Sequence, residues 1–302
     1  LDYAQRAIAS AVEHEQFSTE SYATAILARV LDLKGHWSDA EDLARDQLDG
    51  AAITQMVALP IVGIIEARSG RDSARATLKR AWEMSGVAGE FQRLAPTAIA
   101  VAEHGWISNS PGVPLADITR VMETGFNKGF AYSLGSLAVW LWKLGVLSEA
   151  PAGIAEPYRL LIEGEPMAAA ERWAEIGCPY ERGIALAHGD PTAQLEALEI
   201  FDRLGATAVA AKLRKALRIE GVSVPRGKGQ KTRDHAAGLT AKQAEVLELL
   251  DEGLSNTEIA DRLFVSPRTV EHHVSAVLAK LDSSNRAEAV EAAVHQGLLA
   301  PR

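Results

Sequence analysis

The sequence predicts an all-α protein, and three observations support this. Strand signals are nearly absent from residues 1–220, where apolar residues recur at helical spacing. Glycines divide this region into segments rich in alanine and leucine. Residues 239–302 contain four signals for the start of a helix. We therefore expect two helical domains, 1–220 and 239–302, joined by a linker at 221–238.

The first domain has a weak internal repeat. Gly35 and Gly70 are 35 residues apart, and the helical segments that follow them match at Leu43 and Leu78. Similar segments follow Gly164 and Gly189. A period near 34 residues is typical of tetratricopeptide-type helical pairs. We therefore expect a tetratricopeptide-like helical repeat domain.

Two segments of this domain have their own predictions. Residues 105–120 contain two prolines and are expected to form a loop between helices, whereas 133–145 is expected to form a buried helix.

All six tryptophans lie in this domain. They are interpreted as core residues, with the alternative that some line a concave surface and stack on a ligand. Trp140 and Trp142 cannot share one helix face, so one of them is expected to be accessible.

The linker is basic. Its cations are Arg226, Lys228, Lys231 and Arg233, with only Asp234 opposing them. Two interpretations remain open: a solvated spacer, and an arm that contacts phosphates.

Capping residues predict the first two helices of residues 239–302. Thr240 with Gln243 forms a capping box, and the helix that it starts is expected to end at Gly253. Ser255 with Glu258 forms a second box. Phe264 and Val265 are then expected to make the turn into a third helix.

The third helix begins with Ser266 as its cap and Pro267 at its first position. Helical geometry places its apolar residues on one face: Val270, Val274, Val277, Leu278 and Leu281. The opposite face carries His272, Ser275 and Ala279, with Glu271 at its edge. A flank between the two faces carries Thr269, His273, Ala276 and Lys280. A fourth helix opens at Asn285 with Glu288, and its apolar residues are Ala289, Val290, Ala293 and Val294.

This arrangement is typical of a helix-turn-helix. A face with small and hydrogen-bonding side chains fits a DNA major groove about 12 Å wide. The hydroxyl, imidazole and ammonium groups of the flank suit phosphate oxygens, as do the free N–H groups at 266–269.

The segment resembles the C-terminal DNA-binding domain of LuxR/NarL-type regulators. The matching motifs are LT at 239–240, EVL at 245–247, SN-x-EIA at 255–260, TV at 269–270, His273 and KL at 280–281. The resemblance implies that Glu271, His272 and Ser275 face DNA bases. The resemblance also implies that Thr269, His273 and Lys280 contact the DNA backbone, and we assign Ser266 and Arg268 to the same role. It further implies a dimer contact on the fourth helix, which we assign to Val290 and Val294.

Residues 165–218 resemble the helical-repeat segment of large ATP-binding LuxR-type regulators. In that family such repeats join an N-terminal ATPase to the DNA-binding domain. The chain begins at Leu1 without methionine and has no G-x-x-x-x-G-K-[ST] loop. We therefore expect no cofactor in the visible chain, and ATP only through a module upstream.

Composition limits the other function classes. There is no run of about 18 apolar residues and no signal-peptide pattern, so we expect a cytoplasmic protein without membrane contact. The single cysteine, Cys178, is expected to be a buried thiol. No residue pattern indicates a metal site or catalytic group, so we expect no enzyme activity. The net charge is −9, and residues 239–302 carry ten carboxylates against six lysines and arginines, which predicts weak non-specific DNA binding.

The leading hypothesis is a sequence-specific transcription regulator. Its repeats would sense a small-molecule or protein effector, and its C-terminal domain would bind double-stranded promoter DNA as a homodimer, with contact to RNA polymerase also open. One alternative is a sigma-factor-like protein that recognises promoters. Another is a helical-repeat interaction scaffold whose DNA-binding domain is vestigial.

Overall fold

The computed structural model describes residues 6, 8, 10, 17–86, 91–126, 128–222, 224, 239, 241–263, 265 and 267–299. These residues form α-helices and no strand, so the all-α prediction is confirmed. The chain divides into two compact units, at 1–226 and 227–302. Most of the predicted linker lies outside the described residues, and the roles assigned to the two parts stay predictions.

Twelve helices form the described part of the first unit. They are α1 (Phe17–Leu33), α2 (Trp37–Asp46), α3 (Ala52–Arg68), α4 (Ala74–Gly86), α5 (Phe91–Ser108), α6 (Leu115–Gly125), α7 (Ala131–Lys143), α8 (Glu156–Ile162), α9 (Pro166–Ile176), α10 (Pro179–Leu186), α11 (Pro191–Leu204) and α12 (Thr207–Ile219).

The first seven of these helices pack in two layers. Neighbours in sequence pack as pairs, and each of α1, α3 and α5 also contacts the next odd-numbered helix, so that α1, α3, α5 and α7 form an inner layer. Helix α12 returns to contact α3 and α5. The inner helix α3 is buried along most of its length, as its apolar composition requires. Stacked helical hairpins are compatible with a repeat architecture, but the tetratricopeptide class stays a prediction.

Two of the repeat glycines join distant parts of the unit. Gly35 and Gly70 have left-handed φ angles of 81° and 75°, which glycine adopts without steric cost. A Cβ atom on Gly35 would lie 2.7 Å from Leu204 Cδ2. Beside Gly70, the Thr207 hydroxyl donates a 2.6 Å hydrogen bond to the carbonyl of Ser69. The turns after α1 and α3 therefore rest on the C-terminal helices of the unit.

The two segment predictions have different outcomes. The buried helix predicted at 133–145 is confirmed by α7, whose residues 137–141 are all buried. The loop predicted at 105–120 is too long. Helix α5 continues to Ser108, and α6 already begins at Leu115. Asn109, with a left-handed φ of 55°, ends the helix just before Pro111.

The tryptophans are mainly packing residues. Three are buried: Trp37, Trp140 and Trp173. Trp82, Trp106 and Trp142 are half-buried against the same core. Trp142, rather than Trp140, is the more accessible member of its pair, and its ring lies 5.0 Å from that of His188. Cys178 is buried as expected, and burial raises the pKa of its thiol to about 11.

An ion network connects the inner layer. Arg68, at the end of α3, donates to Asp32 at 2.9 Å and to both carboxylate oxygens of Glu103, at 2.7 and 2.9 Å. The Tyr180 hydroxyl donates to Glu103 at 2.6 Å, and the Arg68 guanidinium lies 3.9 Å from the Tyr180 ring centroid. Each of these side chains is nearly inaccessible to solvent. The network therefore joins α1, α3, α5 and α10 through buried charges.

The second unit contains four helices within its described residues. They are α13 (Ala241–Asp251), α14 (Asn256–Leu263), α15 (Pro267–Lys280) and α16 (Arg286–His295). Helix α15 packs on each of the other three. A small core lies between them, with Val246, Ile259, Val270 and Val277 fully buried.

Candidate nucleic-acid interface

Two helix starts in the second unit have the capping that the sequence predicts. The backbone N–H of Ser255 donates to Glu258 Oε2 at 2.8 Å, and the N–H of Glu258 donates back to Ser255 Oγ at 3.3 Å. The Ser255 N–H, together with the Ser255 hydroxyl that donates to Glu258 Oε2 at 2.7 Å, lowers the pKa of the exposed Glu258 carboxyl. Asn285 accepts a 3.0 Å hydrogen bond from the N–H of Glu288 and donates to its carboxylate at 2.7 Å. The Thr240 capping box lies partly outside the described residues.

A tight turn sets the relation between α14 and α15. The N–H of Val265 donates to the carbonyl of Ala260 at 3.0 Å, and α15 starts two residues later at Pro267. Phe264 and Ser266 lie outside the described residues, so the role assigned to Ser266 stays a prediction. The two helices pack on each other, as in a helix-turn-helix.

Helix α15 has one buried face and one exposed face. The predicted core face is confirmed, since Val270, Val274, Val277 and Leu281 are buried and Leu278 is half-buried. The three residues assigned to bases, Glu271, His272 and Ser275, are all exposed. Ala279 continues the same face. The other helices of this unit therefore leave the face uncovered.

The flank between the two faces is more buried than the sequence indicated. Thr269 is 4% exposed and His273 is 2% exposed. The physical reason is that α15 packs on three helices, so the buried arc is wider than one apolar stripe. The assignment of Thr269 and His273 to the DNA backbone stays a prediction, but side chains so buried are better placed to orient α15 than to contact phosphates.

The cations at the two ends of α15 are exposed. Arg268 lies in the first turn and Lys280 is the last residue of the helix. Lys280 Nζ donates a 2.8 Å hydrogen bond to Gln243 Oε1, which ties the end of α15 to α13. The sequence predicts Gln243 only as the partner of Thr240 in a capping box. Its contact with Lys280, 37 residues away, requires the fold and has no local signal.

A second tie that the sequence did not indicate joins α14 and α16. Arg286 donates to Asn256 Oδ1 at 3.0 Å, and both side chains lie at the start of their helices.

Val290, assigned to a dimer contact, is half-buried and packs against the core of its own unit. Val294 is also half-buried. Neither observation tests a dimer, so that assignment stays a prediction.

Among the described residues, no histidine, cysteine and carboxylate side chains cluster in a way that could hold a metal ion. Within the same part of the chain, no helix is long and apolar enough to cross a membrane.

Comparison with known proteins finds a family match within the second unit. Residues 237–293 match the family described as bacterial regulatory proteins, luxR family. A helix-turn-helix-type transcriptional regulator of Mycobacterium bovis is 40% identical over 110 residues, which is 35% of this chain and 12% of that protein. The DNA-binding transcriptional activator DevR/DosR of Mycobacterium tuberculosis is 39% identical over 90 residues, 30% of this chain and 36% of that protein.

A third relative is the oxygen regulatory protein NreC of Staphylococcus haemolyticus. It is 37% identical over 95 residues, which is 32% of this chain and 44% of that protein. The aligned segments thus span from about one eighth to less than half of these relatives' lengths. No solved structure matches the chain.

Proposed function

We propose that this chain, whose C-terminal unit is a LuxR-family helix-turn-helix domain, is a sequence-specific transcription regulator that inserts α15 into the DNA major groove. The observation that carries the proposal is the exposed polar face of α15 opposite an apolar face that is buried except for the half-buried Leu278. Transcription regulation itself is supported by the names of the similar proteins. Promoter DNA is the partner that follows.

The proposed contacts divide into two groups. Glu271, His272 and Ser275 face base edges, where hydrogen-bonding side chains can distinguish base pairs. Ser266, Arg268, Thr269, His273 and Lys280 surround them on the backbone side. Arg268 and Lys280 are the members whose exposed charges suit phosphates, whereas the buried Thr269 and His273 would act by holding the helix in place.

Weak electrostatics supports binding as a dimer. The domain has more carboxylates than cations, so one copy has little non-specific attraction to DNA. Two copies on paired half-sites would add their contacts, and Val290 and Val294 on α16 are the proposed dimer contact. The first unit (1–226), called the helical unit below, is in turn proposed to sense an effector or protein partner that controls this binding.

Replacing Lys280 with alanine is expected to weaken binding to all DNA sequences about equally. It removes one phosphate contact, so the slope of log affinity against log salt should fall by about one unit. Fluorescence anisotropy with labelled duplexes between about 50 and 200 mM salt measures this. Lys215→Ala, an exposed lysine of α12 in the other unit, is the matched control. A loss for Lys280→Ala that depends on sequence would contradict its assignment to phosphate.

Replacing His272 or Ser275 with alanine is expected to change the preferred DNA sequence instead. Each lost base contact should reduce discrimination at one position by about 1–3 kcal/mol. Competition between duplexes that differ at single base pairs measures that loss. Glu291→Gln, an exposed carboxylate on α16, controls for a change of charge. An unaltered preferred sequence in both variants would remove these residues from the base-facing group.

A further inference from the structure

A cavity of about 360 Å³ lies in the first unit, between the inner layer and helices α8, α9 and α10. Sites for small molecules are concave, mostly apolar and about 300–1,000 Å³ in volume. Three of its lining side chains are large, apolar and still exposed: Leu33, Tyr132 and Ile176, at 37%, 57% and 37%. Exposed apolar side chains around a concave opening are typical of a ligand site.

One part of the cavity wall is the ion network of Arg68, Asp32 and Glu103. Arg68 donates hydrogen bonds to both carboxylate oxygens of Glu103 and to one of Asp32, and the Tyr180 hydroxyl donates a further hydrogen bond to Glu103. These groups already have partners within the protein. They shape the wall and set its charge, but they do not need a ligand.

Two other charged side chains of the wall remain outside this network. Arg29, on α1, makes no hydrogen bond or ion pair with any described residue, although Asp32 and Glu181 attract it electrostatically. Glu181, on α10, has its Oε2 atom buried without a hydrogen-bond partner in the described part of the chain. Buried polar atoms nearly always have a partner, so the orphaned Oε2 of Glu181 needs an explanation, and the half-buried Arg29 lines the same cavity.

The electrostatics of the two groups agree with missing partners. Burial raises the pKa of the Glu181 carboxyl to about 7 and lowers the pKa of Arg29. Both shifts disfavour the charged form, because nearby charges, those of Asp32 on Arg29 and of Arg68 on Glu181, offset only part of the cost of burial. A ligand with a negative group beside Arg29 and a positive group beside Glu181 would compensate for this loss of solvation.

We propose that this cavity binds a small zwitterion with an apolar body, of the class of α-amino acids with large hydrophobic side chains. The ligand carboxylate pairs with Arg29, and its ammonium group donates to Glu181. Its apolar body lies against Ile61, Ile64 and Trp140, which line the same cavity. The inference rests on the proposed function in one respect: it names the effector class that the helical unit senses.

The charges of the wall favour a zwitterion over a simple ion. A simple anion at Arg29 would lie near two carboxylates, those of Asp32 and Glu181. A simple cation at Glu181 would be repelled by the guanidinium groups of Arg29 and Arg68. A zwitterion engages one group of each sign and adds no net charge.

Calorimetric titration of the whole chain tests the ligand class. L-phenylalanine and L-leucine are the probes, compared with 3-phenylpropionate, which lacks the ammonium group, and phenethylamine, which lacks the carboxylate. We expect at least one amino acid to bind, with both phenylalanine analogues at least about tenfold weaker than the parent, since each loses a charged hydrogen bond. Binding of neither amino acid, or equal binding of either analogue, would overturn the proposal.

Two variants test the site itself. Arg29→Met and Glu181→Gln should each weaken amino-acid binding at least about tenfold. Arg203→Met and Glu199→Gln, exposed residues of α11 outside the cavity, are matched controls that should not. Circular dichroism checks that all four variants fold. Equal affinity in the cavity variants and their controls would contradict the placement.

DNA binding measured on the same preparations separates this inference from the proposed function. A chain that binds specific DNA but neither amino acid retains the proposed function and loses the effector class. A chain that binds an amino acid through Arg29 and Glu181 but no specific DNA retains the cavity and loses the regulator.

Discussion

Replacing Glu103 with glutamine is expected to lower the free energy of unfolding of the helical unit by about 3–5 kcal/mol. Glu103 accepts hydrogen bonds from two nitrogens of Arg68 and from the Tyr180 hydroxyl. A glutamine of the same shape has only one acceptor oxygen, and its NH₂ group would face one of these donors. The Arg68 guanidinium would remain buried, and its remaining ion pair would be the one with Asp32.

Urea unfolding followed by tryptophan fluorescence measures this loss, because all six tryptophans lie in the helical unit. The matched control is Asp117→Asn. Asp117 forms an ion pair with Arg120 whose side chains are 40% and 71% exposed, so its loss should change stability by less than about 1 kcal/mol. If both variants lose equally little, the buried network does not stabilise the unit as described.

Replacing Ile259 with alanine is expected to abolish DNA binding through loss of the fold. Ile259 is fully buried in the small core formed by α13, α14 and α15. Truncation to alanine in such a core costs about 2–5 kcal/mol, which is a large part of the stability of a domain this small. The tryptophan unfolding transition should not change, since the substitution lies in the other unit.

Thr257→Ala is the control for this variant, because Thr257 is exposed on the same helix. Its effect should stay within about 0.5 kcal/mol, and its DNA affinity should be normal. Full DNA affinity of Ile259→Ala would mean that the apolar face of α14 is not required to hold α15 in position.

The features that the sequence predicted depend on local interactions. The capping boxes of α14 (Ser255 with Glu258) and α16 (Asn285 with Glu288) each join residues three apart, so both helix starts can be predicted without knowledge of the fold. The core face of α15 follows from helical periodicity alone. The predicted loop at 105–120 is too long because Pro111 and Pro114 disfavour a helix only around their own positions.

The features that the sequence did not predict depend on distant contacts. Asp32, Arg68 and Glu103 are 35 or 36 residues apart, and each alone resembles an ordinary charged residue of a helix. Only the stacking of α1, α3 and α5 brings them together. The burial of Thr269 and His273 is of the same kind, since periodicity gives the direction of a side chain but not the number of helices that cover it.

The most direct test of the central claim is selection of DNA fragments from a random pool by the purified full chain. The account predicts enrichment of one recurrent sequence, present as two half-sites at a fixed spacing, and its loss or alteration with His272→Ala. Recovery of fragments without a common sequence, or of the same sequence with His272→Ala, Ser275→Ala and Glu271→Ala combined, would contradict it.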